Sequence, residues 1–197
     1  EPRPEGSSWL ELGGAELEPL FASTTVIDVS WLLRFARGEV MPECGGVVPA
    51  WQQLPDEAKV DLSQLRQAEL PSDALTESLN VAVLSYGWAS SEHPDPTGEQ
   101  LRQMVPALEA LVFTSRKEAL GGPYKWGLVW DYMSLPQRLQ KHNPAAMNER
   151  DGRSAYELAR FRAGLESINV WYGHPRVTTL VCDWPMPSDS QNGLPID

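Results

Sequence analysis

Asn80 to Tyr86 reads NVAVLSY. The run is short, apolar, uncharged and rich in β-branched residues, the pattern of a strand buried on both faces. What surrounds it repeats that theme. Ala89 to Gly98 is polar and carries His93-Pro94-Asp95-Pro96, whose two prolines enforce a stiff, extended loop. Glu99 to Val112 then places Leu101, Met104, Val105, Leu108 and Leu111 at helical spacing. After the turn Gly121-Gly122-Pro123, Trp126 to Tyr132 (WGLVWDY) gives a second strand. Met133 to Gly152 is a long polar connection. Ser154 to Tyr172 predicts a helix with Leu158, Phe161, Leu165, Ile168 and Tyr172 in register. It is stopped by Gly173 and Pro175. If that stripe packs on the sheet, Leu165→Ala should cost ~2–5 kcal/mol. Val177 to Cys182 (VTTLVC) is the third strand.

Strand, helix, strand, helix, strand is the signature of an α/β fold with a short parallel sheet and right-handed crossovers. The expected order of its three core strands is 2-1-3, as in flavodoxin-like sheets. Outside this unit the chain changes character. Residues 1–25 are rich in Pro, Glu, Gly and Ser and read as an extended arm suited to lying on a partner. Residues 26–76 read as a helical leader region. Val26 to Arg37 is helical, capped by Asp28 or Ser30 and stopped by Gly38. The loop Val40 to Pro55 contains Gly45-Gly46, and Asp56 to Leu70 carries a stripe of Ala58, Leu62 and Leu65. The α/β domain spans residues 77–184, and residues 185–197 form an irregular, proline-rich tail.

Composition narrows the function. The chain has 197 residues, 42% of them hydrophobic and 22% charged, with a formal net charge of −11. The 16 Lys and Arg are scattered and form no basic face, which disfavours nucleic acid and anionic membrane surfaces as partners. No apolar run approaches the roughly 20 residues of a membrane span. Cys44 and Cys182 make neither a disulfide framework nor a zinc site, and no metal site is expected. The first residue is Glu1, not Met. That reads as a processed protein, as after transit-peptide removal, or as a fragment.

Ligands in open parallel sheets bind beyond the carboxyl ends of the strands. The first strand delivers Ser85, Tyr86 and Trp88 there, the second Asp131, Tyr132 and Ser134, and the third Asp183 and Trp184. The loop from His93 to Asp95 hangs over the same edge. Ser85, Tyr86, Trp88, Asp131, Tyr132 and Ser134 are the candidate lining of a crevice. Each also has a structural role open to it. Asp131 can brace the following loop, and Trp88 and Trp130 can anchor packing. His93 can brace a turn, and His174 can favour a helix C-terminus. No dinucleotide fingerprint, phosphate-binding loop or nucleophile elbow is present. Glu157 and Glu166 would lie about 13 Å apart along one helix, too far for a catalytic pair. Ion pairing to Arg160 or Arg162 is the simpler use of such glutamates.

Leu84-Ser85-Tyr86-Gly87-Trp88 and Asp131-Tyr132-Met133-Ser134-Leu135-Pro136-Gln137 resemble the LSY-x-W and W-D-x-x-S-L-P-Q blocks of a large family of algae and other protists. Glu92 to Pro96 and Ile168 to His174 resemble its intervening blocks, and Gly38 to Pro42 with Leu54-Pro55 its leader. The resemblance covers about residues 26–184. More distantly the pattern is similar to the fungal heterokaryon-incompatibility (HET) domain and to the Toll/interleukin-receptor (TIR) fold. That similarity implies either a self-assembling interaction module or an NAD-cleaving enzyme. The enzymes use a glutamate after the third strand, and Asp183-Trp184-Pro185 and the tail hold no match to that block. The expectation is therefore a non-enzymatic interaction or structural subunit with a degenerate TIR-like domain and no cofactor. It would meet protein partners through its arm, a sheet edge and its tail. It fits an accessory subunit of a large organellar complex, in the plastid ahead of the mitochondrion, or else a cytoplasmic protein; it could sit peripherally on a membrane complex. The alternative is a nucleotide-binding or NAD-cleaving fragment using the strand-end crevice.

Overall fold

The computed structural model describes residues 7–67, 78–90, 93–116, 125–138 and 152–183. The turn at Gly121-Gly122-Pro123, Glu92, Trp184, most of the connection after Met133 and the tail lie outside them. Among the described residues the three expected strands form: β3 (Val81–Ser85), β4 (Gly127–Val129) and β5 (Thr178–Val181), the second shorter than expected, since Asp131 and Tyr132 lie in a helix that follows it. β3 runs parallel to β4 on one side and to β5 on the other, which is the order 2-1-3. The protein is an α/β fold with a mixed five-stranded sheet and flanking helices.

The two further strands correct the reading of the leader region. Val26–Asp28 is a strand, β1, and the helix α2 begins only at Val29 and ends at Ala36. β1 pairs antiparallel with β4 and with β2 (Lys59–Val60). Val26 and Ile27 are β-branched and buried on opposite sheet faces, which suits a strand better than a one-sided helix. Asp28 accepts from Ser30 N at 2.8 Å and so caps α2. The same carboxylate is paired with Lys125. β1 thus covers the β4 edge that three strands alone would leave open. It lies very close to it. A Cβ on Gly127 would stand 2.3 Å from Val26 Cγ1. Asp56 to Leu70 is also divided, into a 3₁₀ turn at Asp56–Ala58, β2, and the helix α3 at Leu62–Gln67.

Residues 7–25 are not an extended arm. They form a short helix, α1 (Ser7–Glu11), and two 3₁₀ turns that fold under the sheet. Trp9 is 1% and Leu17 0% exposed. They join Val26, Val60, Leu65 and the strand residues Val81, Val83 and Val129 in one core. An ion pair from Arg66 to Glu18 at 2.5 Å ties the segment to α3. It lowers the Glu18 carboxyl below the ordinary glutamate value.

Alternation along the strands builds the second core. Ala82, Leu84, Leu128 and Trp130 face α2 and α4 (Glu99–Arg116), whose Leu101, Met104 and Leu108 are buried against them. The opposite face receives α6 (Ala155–Gly173). Ser154 caps α6, and Glu157 closes a reciprocal capping box with it. Glu157 is therefore not the partner of Arg160, which donates to Ala22 O at 2.7 Å and Thr25 Oγ1 at 3.1 Å. The buried residues of α6 are Gly164 and Trp171, with Ile168 packed beside them. Leu165, by contrast, is 46% and Tyr172 37% exposed, so the expected stripe is only partly turned to the sheet, with Ile168 its member in the core. Gly164 explains the offset. A Cβ there would meet Leu135 Cδ2 at 2.2 Å, so the backbone of α6 approaches where it has no side chain.

Candidate functional site

The carboxyl ends of β3 and β4 meet as expected. After Trp130, which is fully buried, the chain turns into the four-residue helix α5 (Asp131–Ser134). That turn aims Asp131 back at the residues following β3. The Tyr86 hydroxyl donates to Asp131 Oδ1. The Tyr132 N–H donates to the same oxygen at 2.6 Å, and Trp88 Nε1–H to Oδ2 at 3.4 Å. Both carboxylate oxygens are thus engaged by the chain itself.

Aromatic rings pack around the carboxylate. Tyr86 stands edge-on to Trp130 with centroids 5.6 Å apart, and Trp88 edge-on to Tyr132 at 5.8 Å. His93 also packs on Tyr132, with ring centroids 4.5 Å apart. Burial, with the Asp131 charge beside it, pushes the Tyr86 phenol far above its ordinary value. Tyr86 is a donor here and not a base. Burial raises Tyr132 as well. Tyr172 reaches in from α6 and donates to Leu84 O at 2.8 Å.

The other candidates fall away from this cluster. Ser134 is 0% exposed, and its hydroxyl accepts from Trp130 N at 3.0 Å, inside the turn it stabilises. Ser85 holds the sheet through its carbonyl, which accepts from Cys182 N at 2.9 Å. Asp183 is exposed at the end of β5. His174 caps α6 through its backbone and is itself buried against the N-terminal segment. Three polar braces with little mark in the sequence hold the loops. Gln100 Nε2 bridges Gly87 O and Pro94 O at 3.0 and 2.9 Å. Gln137 Nε2 spans Asp131 O and Leu135 O at 3.2 and 2.8 Å. Gln52 exchanges two bonds with the Gln137 backbone. Only Gln137 carried a signal, as the last residue of the block that begins at Asp131.

The arrangement binds the ends of β3 and β4 together and engages both oxygens of Asp131 with donors of the chain itself. Among the described residues no cluster of three or more His, Cys, Asp or Glu could hold a metal ion, and no helix is long and apolar enough to cross a membrane. A separate cleft of about 220 Å³ lies between the end of α2 and the start of α4, lined in part by Arg37, Met41, Gly98 and Arg102. Both arginines are already paired, with Glu109 and Glu99. No family model, curated protein or solved structure matches the chain.

Proposed function

We propose that this chain is a non-enzymatic interaction or structural subunit built on a degenerate TIR-like domain. In this reading it serves as an accessory subunit of a large organellar complex, in the plastid ahead of the mitochondrion. The observation that carries the reading is an uncovered apolar surface on α6 and β5. Leu165 and Tyr172 lie seven residues apart on one face of α6 and are 46% and 37% exposed. Val181, on the outer strand, is 68% exposed. Tyr172 bonds Leu84 O, and Leu84 is in register with Leu180, so the helix face and the end of β5 are neighbours. Grouped exposed apolar side chains mark contact surfaces, whereas single ones do not. The strand-end cluster supports the same reading, since Asp131 spends its carboxylate on Tyr86, Trp88 and Tyr132.

The test compares the full chain with Leu165→Arg and Val181→Arg variants in cell extract. The wild type should elute in a large assembly, and the variants, folded by circular dichroism, as free protein. Elution of the wild type as monomer would sink the reading. Turnover of NAD or a nucleotide by the purified chain, abolished by Asp131→Ala with the fold intact, would replace it with an enzymatic one.

A further inference from the structure

His93 and His174 sit in the same local geometry. Each precedes a proline, so the next residue has no N–H to offer. The N–H two residues on then turns back to the ring. Asp95 N donates to His93 Nδ1 at 2.9 Å, and Arg176 N donates to His174 Nδ1 at 3.2 Å. With Nδ1 accepting, each neutral ring carries its hydrogen on Nε2. Those nitrogens reach distant carbonyls, Val48 O at 3.1 Å and Gly13 O at 3.2 Å. His-Pro-x thus builds a clasp that closes a local turn with one nitrogen and holds a remote segment with the other.

The His93 clasp lies on the strand-end cluster. Its ring covers Tyr132, and its Nε2–H holds the loop at Val48, which is itself 1% exposed. We propose that His93 is a proton-operated latch that keeps the Pro94-Asp95 turn closed beside Tyr132 when neutral and opens it when protonated. A proton on Nδ1 turns the acceptor of Asp95 N into a second donor, so that bond cannot survive. The bond from Nε2–H to Val48 O persists, so the proton opens the local turn and not the hold on the remote loop.

The groups facing the ring fix the direction. On its own loop the Asp95 carboxylate is 1% exposed and accepts from Leu101 N at 2.9 Å. From α5 comes the Tyr132 phenol, neutral and raised by burial. From the other loop comes Val48, which offers only its carbonyl. Burial outweighs the opposing pull of Val48 O and Asp95 and lowers the imidazole below its ordinary 6.5. The unfolded chain therefore takes the proton first. The stability contributed by the latch is complete above pH 6.5 and is lost as pH falls from there through the folded value.

Nitrogen-15 NMR of the full chain between pH 7.5 and 5 tests this. At the upper pH the His93 ring should show the Nε2–H tautomer. Its titration should fall below the ordinary histidine range, with the Asp95 amide and the Tyr132 ring following the same midpoint. An Nδ1–H tautomer, or a His93 titration that leaves the Asp95 amide unmoved, would overturn the proposal. His93→Gln keeps a donor for Val48 O but takes up no proton. It should flatten the pH dependence of the folding equilibrium by up to about tenfold per pH unit. An unchanged profile would also overturn it, and should His93→Gln not fold, the wild-type titration decides alone.

Discussion

The Tyr86 hydroxyl and the Asp131 carboxylate, 45 residues apart in the chain, are joined by a direct hydrogen bond that ties the end of β3 to the end of β4. Three donors converge on that carboxylate, so its worth is structural. Asp131→Ala strands the Tyr86 hydroxyl, the Tyr132 N–H and the Trp88 indole N–H together. Each orphaned buried donor costs roughly 1–3 kcal/mol, and partial access to water reduces the sum to about 3 kcal/mol. Tyr86→Phe removes one donor and leaves the acceptor two partners, so about 1 kcal/mol is expected. Urea unfolding of the two variants gives both numbers. A neutral Asp131→Ala would mean that the carboxylate does not brace the strand ends.

The face of α6 that meets the sheet is set by Gly164 and Trp171, and paired substitutions read it out. Gly164→Ala drives a methyl into Leu135, which is 1% exposed and has little room to move. Overpacking of this kind costs about 1–3 kcal/mol. Leu165→Ala, one residue on, should cost less than about 1 kcal/mol because the side chain is already 46% exposed. The reverse ranking in thermal or urea melts would place the Leu165 stripe against the sheet.

That contrast shows where sequence patterning stops being informative. The three parallel strands were legible because each is a short apolar run with nothing helical about it. β1 was not, because Val26 and Ile27 flow without a break into the helical spacing of α2, and only their pairing with β4 separates them. Trp9 and Leu17 were hidden by the Pro, Glu and Gly around them, yet both are core residues. On α6 the apolar stripe is off-centre: Ile168 packs in the core while Leu165 is exposed, since a glycine at close approach leaves no hydrophobic mark. The site divides similarly. Tyr86, Trp88, Asp131 and Tyr132 were found from the strand ends alone. Ser134 was misplaced, because whether a hydroxyl turns outward or back onto Trp130 N depends on the backbone of α5. Gln100 went unnoticed, since a buried glutamine has no periodicity.

The capping box of α6 should appear in the acid limb of stability. Although burial alone would raise it, the Ser154 N–H and hydroxyl, Gln52 and Arg153 together hold Glu157 below the ordinary glutamate value of 4.5. A lowered carboxyl contributes stability that is present above 4.5 and lost as pH falls through the folded value. Ser154→Ala removes the cap at a cost of about 1 kcal/mol near neutrality. The difference between variant and wild type should shrink as pH falls below 4.5 and through the folded value, where Glu157 becomes protonated in the wild type as well. Unfolding curves across pH 3 to 7 check this, and a constant difference would show that Glu157 takes no part in the cap.

Cys182 follows β5, and its backbone N–H is bound to Ser85 O. Its thiol packs on the core formed by Leu84 and Trp130. Burial, with Asp183 beside it, pushes that thiol up to about 11. Burial and the neighbouring Glu43 raise Cys44 in the same sense. Only the thiolate attacks an alkylating reagent. At pH 8 a thiol at about 11 holds on the order of a thousandth of its population as thiolate, against about a quarter for an ordinary cysteine. Iodoacetamide should therefore modify Cys182 on the order of 100-fold more slowly in the folded protein than in urea. Peptide mass spectrometry over a time course resolves the two cysteines separately. A Cys182 rate equal to that of the unfolded chain would mean that the end of β5 is not held against β3, and the apolar surface proposed for the partner would lose the strand that frames it.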